Sequence, residues 1–162
     1  MNPKEQFLAS WQREFPTTLK VLKAFPADKG KFKPHERSQE ANELAWNFVR
    51  AQVAIQQALD GTFTIPPNFP PVPEKWSDVV SAYETAEGKV VEAMQKTPDA
   101  EFAKTMKFLL GPGQWGDIPR MSFLWFVFCD TIHHRGQLSV YLRLAGGKVP
   151  SIYGPSADEP WF

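Results

Sequence analysis

Between Ile65 and Pro73 the chain reads Ile-Pro-Pro-Asn-Phe-Pro-Pro-Val-Pro, and five prolines in this stretch bar a helix and disfavour any central strand. The segment is therefore extended and long enough to cross a bundle end. It separates two apolar-periodic stretches before it from two after it. In the first, Phe7, Leu8, Trp11, Phe15, Leu19 and Leu22 recur at spacings of three and four, the stripe of an amphipathic helix. Pro3 suits its first turn, whereas Pro16 predicts a kink or break near Phe15. Residues 26–37 carry breakers and lysines and read as an exposed connection. After Ser38 and Glu40, a second helix runs to Leu59 with Leu44, Phe48, Ala51, Ile55 and Ala58 on its apolar face, and Gly61 stops it.

Beyond the prolines a third helix begins near Glu74 and ends before Thr97-Pro98, carrying Trp76, Val79, Tyr83, Val90 and Met94. Phe102 to Ile118 alternates apolar and polar residues around Gly111-Pro112-Gly113, which leaves a short hairpin and an irregular loop both open. Helix four follows Pro119 and continues through Arg143 to Gly146-Gly147. The tail has too many breakers for regular structure, yet Ile152, Tyr153, Trp161 and Phe162 favour packing back on the body. Four helices with little strand pattern predict an all-α fold, a four-helix bundle with a long crossover connection, as a single domain over 1–162.

With 43% hydrophobic residues and Lys+Arg 18 balancing Asp+Glu 18, the chain has the apolar content of a packed interior and lacks the charge excess of disorder. The same balance removes the bulk attraction for phosphate backbones and anionic lipid, so neither nucleic acid nor membrane is an expected partner. The longest apolar run, Phe123 to Cys129, is well short of the roughly 20 residues of a membrane span. No secretory signal opens the chain, and Cys129 alone cannot form an internal disulfide, so the expected compartment is the cytoplasm.

On helix four, Asp130 and His134 stand four residues apart and share a face with Phe123, Val127, Leu138 and Tyr141, which directs the pair toward the core. Such a pair can hold a divalent metal if a facing helix adds ligands, or can simply bond to itself. Asn47 interrupts the inward side of helix two, as a structural hydrogen-bonding group or as a weak oxygen ligand. His133 points elsewhere on the helix, and His35 lies in a polar loop. Cys129, inside an apolar run, reads as an inert core thiol. Arg135 suits a salt bridge to Asp158 or Glu159 in the tail, and Gly136 a close helix contact.

The run His133-His134-Arg135-Gly136-Gln137-Leu138-Ser139-Val140-Tyr141-Leu142-Arg143, continued by Val149 to Glu159, resembles the DinB-like family of bacterial proteins. Glu43 to Val49 is similar to that family's second-helix segment. The resemblance implies a bundle of the DinB and bacillithiol-transferase type, a homodimer, with a divalent metal such as nickel or zinc held by one histidine of the second helix and two of the last. Matched to this chain, those positions fall on Asn47, Asp130 and His134. Replacement of two histidines by oxygen donors shifts any site toward magnesium or manganese, or leaves it without metal. Two functions follow: a metal-dependent enzyme that transfers a low-molecular-weight thiol of the bacillithiol kind, or a non-catalytic bundle that dimerises or binds a small molecule. The first requires a solvent-reaching cavity between helices two and four.

Overall fold

A computed structural model describes residues 1–162. Four long helices, α1 (Pro3–Ala24), α2 (Ala41–Asp60), α3 (Trp76–Lys96) and α4 (Arg120–Leu144), form the body, and an antiparallel hairpin of β1 (Thr105–Gly111) and β2 (Gln114–Pro119) precedes α4. The fold is all-α apart from this hairpin. Asn2 caps α1 in a reciprocal box, its side chain accepting from the Glu5 amide at 2.8 Å while its own amide donates to Glu5 at 2.9 Å. At the other end of α2, Gly61 takes a left-handed φ of 72°, where a Cβ would be strained. Pro16 does not break α1, which is continuous. One lost backbone donor costs about 3 kcal/mol, and the burial of Phe7 and Trp11 on one side of it and Val21 and Leu22 on the other more than offsets that.

The proline-rich connection between α2 and α3 runs back along α2. Gln57 donates to the Asn68 carbonyl (3.0 Å), the Trp46 indole to that of Pro70 (2.8 Å), and Asn42 to those of Pro73 (3.1 Å) and Glu74 (2.8 Å). Because the connection returns to the end where α2 began, α2 and α3 are parallel. α1 opposes α3, as shown by Trp76 bonding to the Leu22 carbonyl and Lys4 to that of Thr97. The order is up-down-down-up, with the long crossover between the second and third helices.

Two apolar cores are stacked along the bundle. One contains Phe7, Trp11, Ile55, Met94, Phe123 and Leu124; the other contains Leu22, Leu44, Phe48, Val79, Tyr83 and Leu142. Buried polar side chains lie among them: Glu14 and Thr18 from α1, Gln52 from α2, Thr131 and Arg135 from α4. The tail does return to the body through Val149 and Ile152, but Tyr153, Trp161 and Phe162 stay exposed, contrary to the expectation from their hydrophobicity. Backbone and polar bonds fix this segment instead, including the Trp161 indole to Ser151 at 2.9 Å.

Candidate functional site

α4 is apolar on nearly all sides, so its periodicity does not set which face turns inward. The inward residues are Phe123, Leu124, Val127, Phe128, Thr131, Arg135, Leu138 and Leu142. Asp130 and His134 therefore do not project into the core. The Asp130 side chain is 47% exposed and that of His134 is 20% exposed, while Arg135, one residue on, is 1% exposed. Cys129 is likewise exposed rather than a core thiol. Nothing packs within 4 Å of the space a Cβ would fill at Gly136, so this glycine makes no close helix contact.

Asp130 and His134 do meet. His134 Nε2 lies 3.2 Å from Asp130 Oδ2, and its Nδ1 lies 2.9 Å from Gln137 Oε1. The bond to Asp130 raises the imidazole pKa, and Gln137 adds to it against the opposing effect of burial. Both ring nitrogens are thus engaged by side chains of α4 itself. Asn47, half-buried on α2, is also engaged: its Oδ1 accepts from Arg50 Nη1 at 3.0 Å.

Asn47 and Asp130 share a solvent-open cleft of about 160 Å³ between α2 and α4, and Arg50 lines it with them. Its walls are Phe63 and Phe69 from the crossover, Phe108 from β1, and Phe123 and Phe126 from α4. Phe108 meets Phe123 and Phe126 edge-on, with ring centres 5.0 and 5.1 Å apart. The solvent-reaching cleft that the metal-dependent reading requires between helices two and four is present, with Asn47 and Asp130 on its wall; His134 is not among the residues that line it. As folded, the donors do not fit a divalent ion. No three His, Cys, Asp or Glu side chains converge anywhere in the chain, Asn47 already faces a guanidinium, and both nitrogens of His134 are bonded.

The buried Arg135 does not pair with the tail carboxylates. It reaches Glu14 Oε2 at 2.7 Å and Thr18 Oγ1 at 3.2 Å, and donates to the Tyr153 hydroxyl, which in turn donates to Glu14 at 2.6 Å. Burial opposes ionisation of Glu14 most strongly, but the bonds from Tyr153 and Arg135 together hold its carboxyl below the ordinary range. Asp158 pairs with Arg143 instead, and Glu159 with Lys20 at 2.5 Å. Arg50 is the site residue that the apolar pattern conceals. Its spacing of three from Asn47 on one helix is the signal that places them together.

A helical bundle with a crossover between its middle helices and a cleft between the second and last defines the class of protein. The DinB family profile matches residues 1–161, and the chain belongs to that family. It is 31% identical over 156 residues to YrdA, an uncharacterized protein of Bacillus subtilis (strain 168), covering 96% of this chain and 90% of that one. Among solved structures, a DinB-like protein from Bacillus cereus ATCC 10987 superposes with a TM-score of 0.76 at 27% identity, over 92% of this chain and 97% of the other. YjoA, a DinB-like protein from Bacillus subtilis, shares the fold with a TM-score of 0.69 at 17% identity, over 88% and 93% of the two chains.

Proposed function

We propose that this DinB-family protein is a small-molecule-binding bundle whose ligand occupies the cleft between α2 and α4. The observation that carries this reading is the pairing of a phenylalanine wall with three polar side chains, Asn47, Arg50 and Asp130, on one solvent-open cleft. The wall supplies apolar contact and the polar groups orient the ligand. Neutral phenylacetamide serves as the probe. Added to the wild type in EDTA, it shifts the amide resonances of Phe63, Phe108 and Phe123, and the filling substitution Ala51→Leu abolishes those shifts while the helical circular dichroism is retained. Shifts elsewhere, or shifts that survive in the filled variant, contradict the proposal.

A second reading, a metal-dependent transferase of a low-molecular-weight thiol, draws support from the Asp130 carboxylate standing on the cleft wall beside His134. It requires His134 to free a ring nitrogen from Asp130 or Gln137 and Asn47 to turn from Arg50. Retention of nickel, zinc, manganese or magnesium, lost in His134→Ala, is what separates it from the first.

We also propose a homodimer. Outside the core, α4 carries a further stripe of Phe126, Cys129, His133, Gly136, Val140 and Leu144, of which Phe126, Val140 and Leu144 are 54%, 57% and 58% exposed. Spacings of three and four give a seam that a second α4 can pack against, with Gly136 allowing close approach near its middle.

A further inference from the structure

Arg50 has a property that Arg13, Arg120, Arg135 and Arg143 lack. Each of those has a carboxylate partner, at Glu14, Glu101, Glu14 and Asp158 respectively, and the sixth arginine, Arg37, unpaired like Arg50, is exposed in the connection before α2 and lines no cleft with it. Arg50 forms no ion pair with any carboxylate of the chain, and its side-chain hydrogen bond is to the neutral carboxamide of Asn47. A guanidinium carries five N–H donors in a rigid fork, so one bond to Asn47 fixes its orientation and leaves most of its donors unspent. It is half-buried and lines a cleft whose remaining wall is largely aromatic, where the effective dielectric is lower than in water and a charged hydrogen bond is stronger.

We propose that Arg50, braced by Asn47, is the anchor for an organic carboxylate carried on an aromatic body. This rests on the reading of the cleft as a ligand site and adds the ligand's chemical class. The guanidinium fork matches a carboxylate bidentately, and the phenylalanine wall accepts a ring against its faces and edges. Asp130, on the same cleft, repels an anion at its own position and so directs the carboxylate to the Arg50 side; its pairing with His134 moderates the repulsion. In this chain the positive charge offered to a ligand comes from the side chain bonded to Asn47.

The test compares phenylacetate with its neutral isostere phenylacetamide by calorimetry and by the amide shifts of the cleft, in EDTA. The acid binds about tenfold more tightly than the amide, the difference between a charge-assisted and a neutral hydrogen bond. In Arg50→Gln the acid loses its tenfold advantage over the amide, because the acid is weakened more than the amide, and Arg50→Lys, which keeps the charge but loses the fork, recovers part of the difference. Melting temperatures of both variants establish that the fold is kept. Equal binding of acid and amide by the wild type, or acid binding unaffected by Arg50→Gln, overturns the anchor while leaving the cleft a ligand site. Acid binding that requires added metal also overturns it. Absence of any shift in the cleft with either compound removes both the anchor and the ligand site.

Discussion

Glu87 of α3 accepts from the Trp11 indole at 2.9 Å and has a Gln52 amide at 3.5 Å, but has no cation beside it. Burial raises its pKa, and the bonds from Trp11 and Gln52 only partly counter the rise. The folded protein thus holds this proton to higher pH than the unfolded chain does. The group costs nothing below the unfolded value of 4.5, and stability falls as pH rises from there through the raised folded value. Glu87→Gln is expected to raise the melting temperature at pH 7 and leave it unchanged near pH 4; a lowered value at pH 7 contradicts this. Gln52 Oε1, buried without a donor, can also gain one from the new amide. Arg135 behaves in the opposite sense. Its loss in Arg135→Met strands the buried Glu14 carboxylate and is expected to cost about 3–5 kcal/mol in denaturant unfolding, much of it recovered in the Glu14→Gln, Arg135→Met double variant. Equal destabilisation of single and double variants contradicts that coupling. Neither group was legible in the sequence, because burial of a charged residue depends on partners from α1 and the tail that lie 121 and 18 residues away from Arg135.

Elements were legible where their apolar stripe had a single phase. The faces of α1, α2 and α3 follow the spacing of Phe7, Trp11, Leu22, then Leu44, Phe48, Ile55, then Trp76, Val79, Tyr83. α4 carries apolar residues on two sides, so Asp130 and His134 could be assigned to one face together but not to the face that is buried. Hydrophobicity alone could not rank a core stripe above an outer one. The sequence does not decide the hairpin for a related reason: β1 exposes Thr105, Lys107 and Leu109 in alternation but also Leu110 out of phase, which blurs the two-residue period. Its turn is nevertheless built by Pro112 followed by Gly113 at φ 70°, the arrangement of a type II turn. Gly113→Val is expected to cost about 1 kcal/mol or more and to speed amide exchange in residues 105–119. Because Phe108 closes the cleft from β1, the same variant weakens phenylacetamide binding; unchanged exchange and binding contradict this link.

At the scale of the whole molecule, the crossover and hairpin place Phe63, Phe69 and Phe108 over the helix pair that carries Asn47, Arg50 and Asp130, so the cleft is a product of topology. A cleft lined by Asn47, Asp130 and His134 is the expectation of the metal-dependent reading alone; the cleft present has Arg50 on its wall and not His134. The outer stripe of α4 extends from Phe126, which also lines the cleft, to Leu144, so the proposed homodimer seam would adjoin the cleft mouth. Under the proposed homodimer, the wild type sediments at twice the chain mass and Val140→Glu at the monomer mass without loss of helicity; a monomeric wild type or an unchanged mass in the variant contradicts the seam. The central claim, a ligand cleft that works through Arg50 with no resident metal, is tested most directly by metal content. Untagged protein and its His134→Ala variant are incubated in turn with nickel, zinc, manganese and magnesium, desalted, and assayed by elemental analysis. The account predicts no stoichiometric metal in either protein; about one ion per chain in the wild type, lost in the variant, contradicts it.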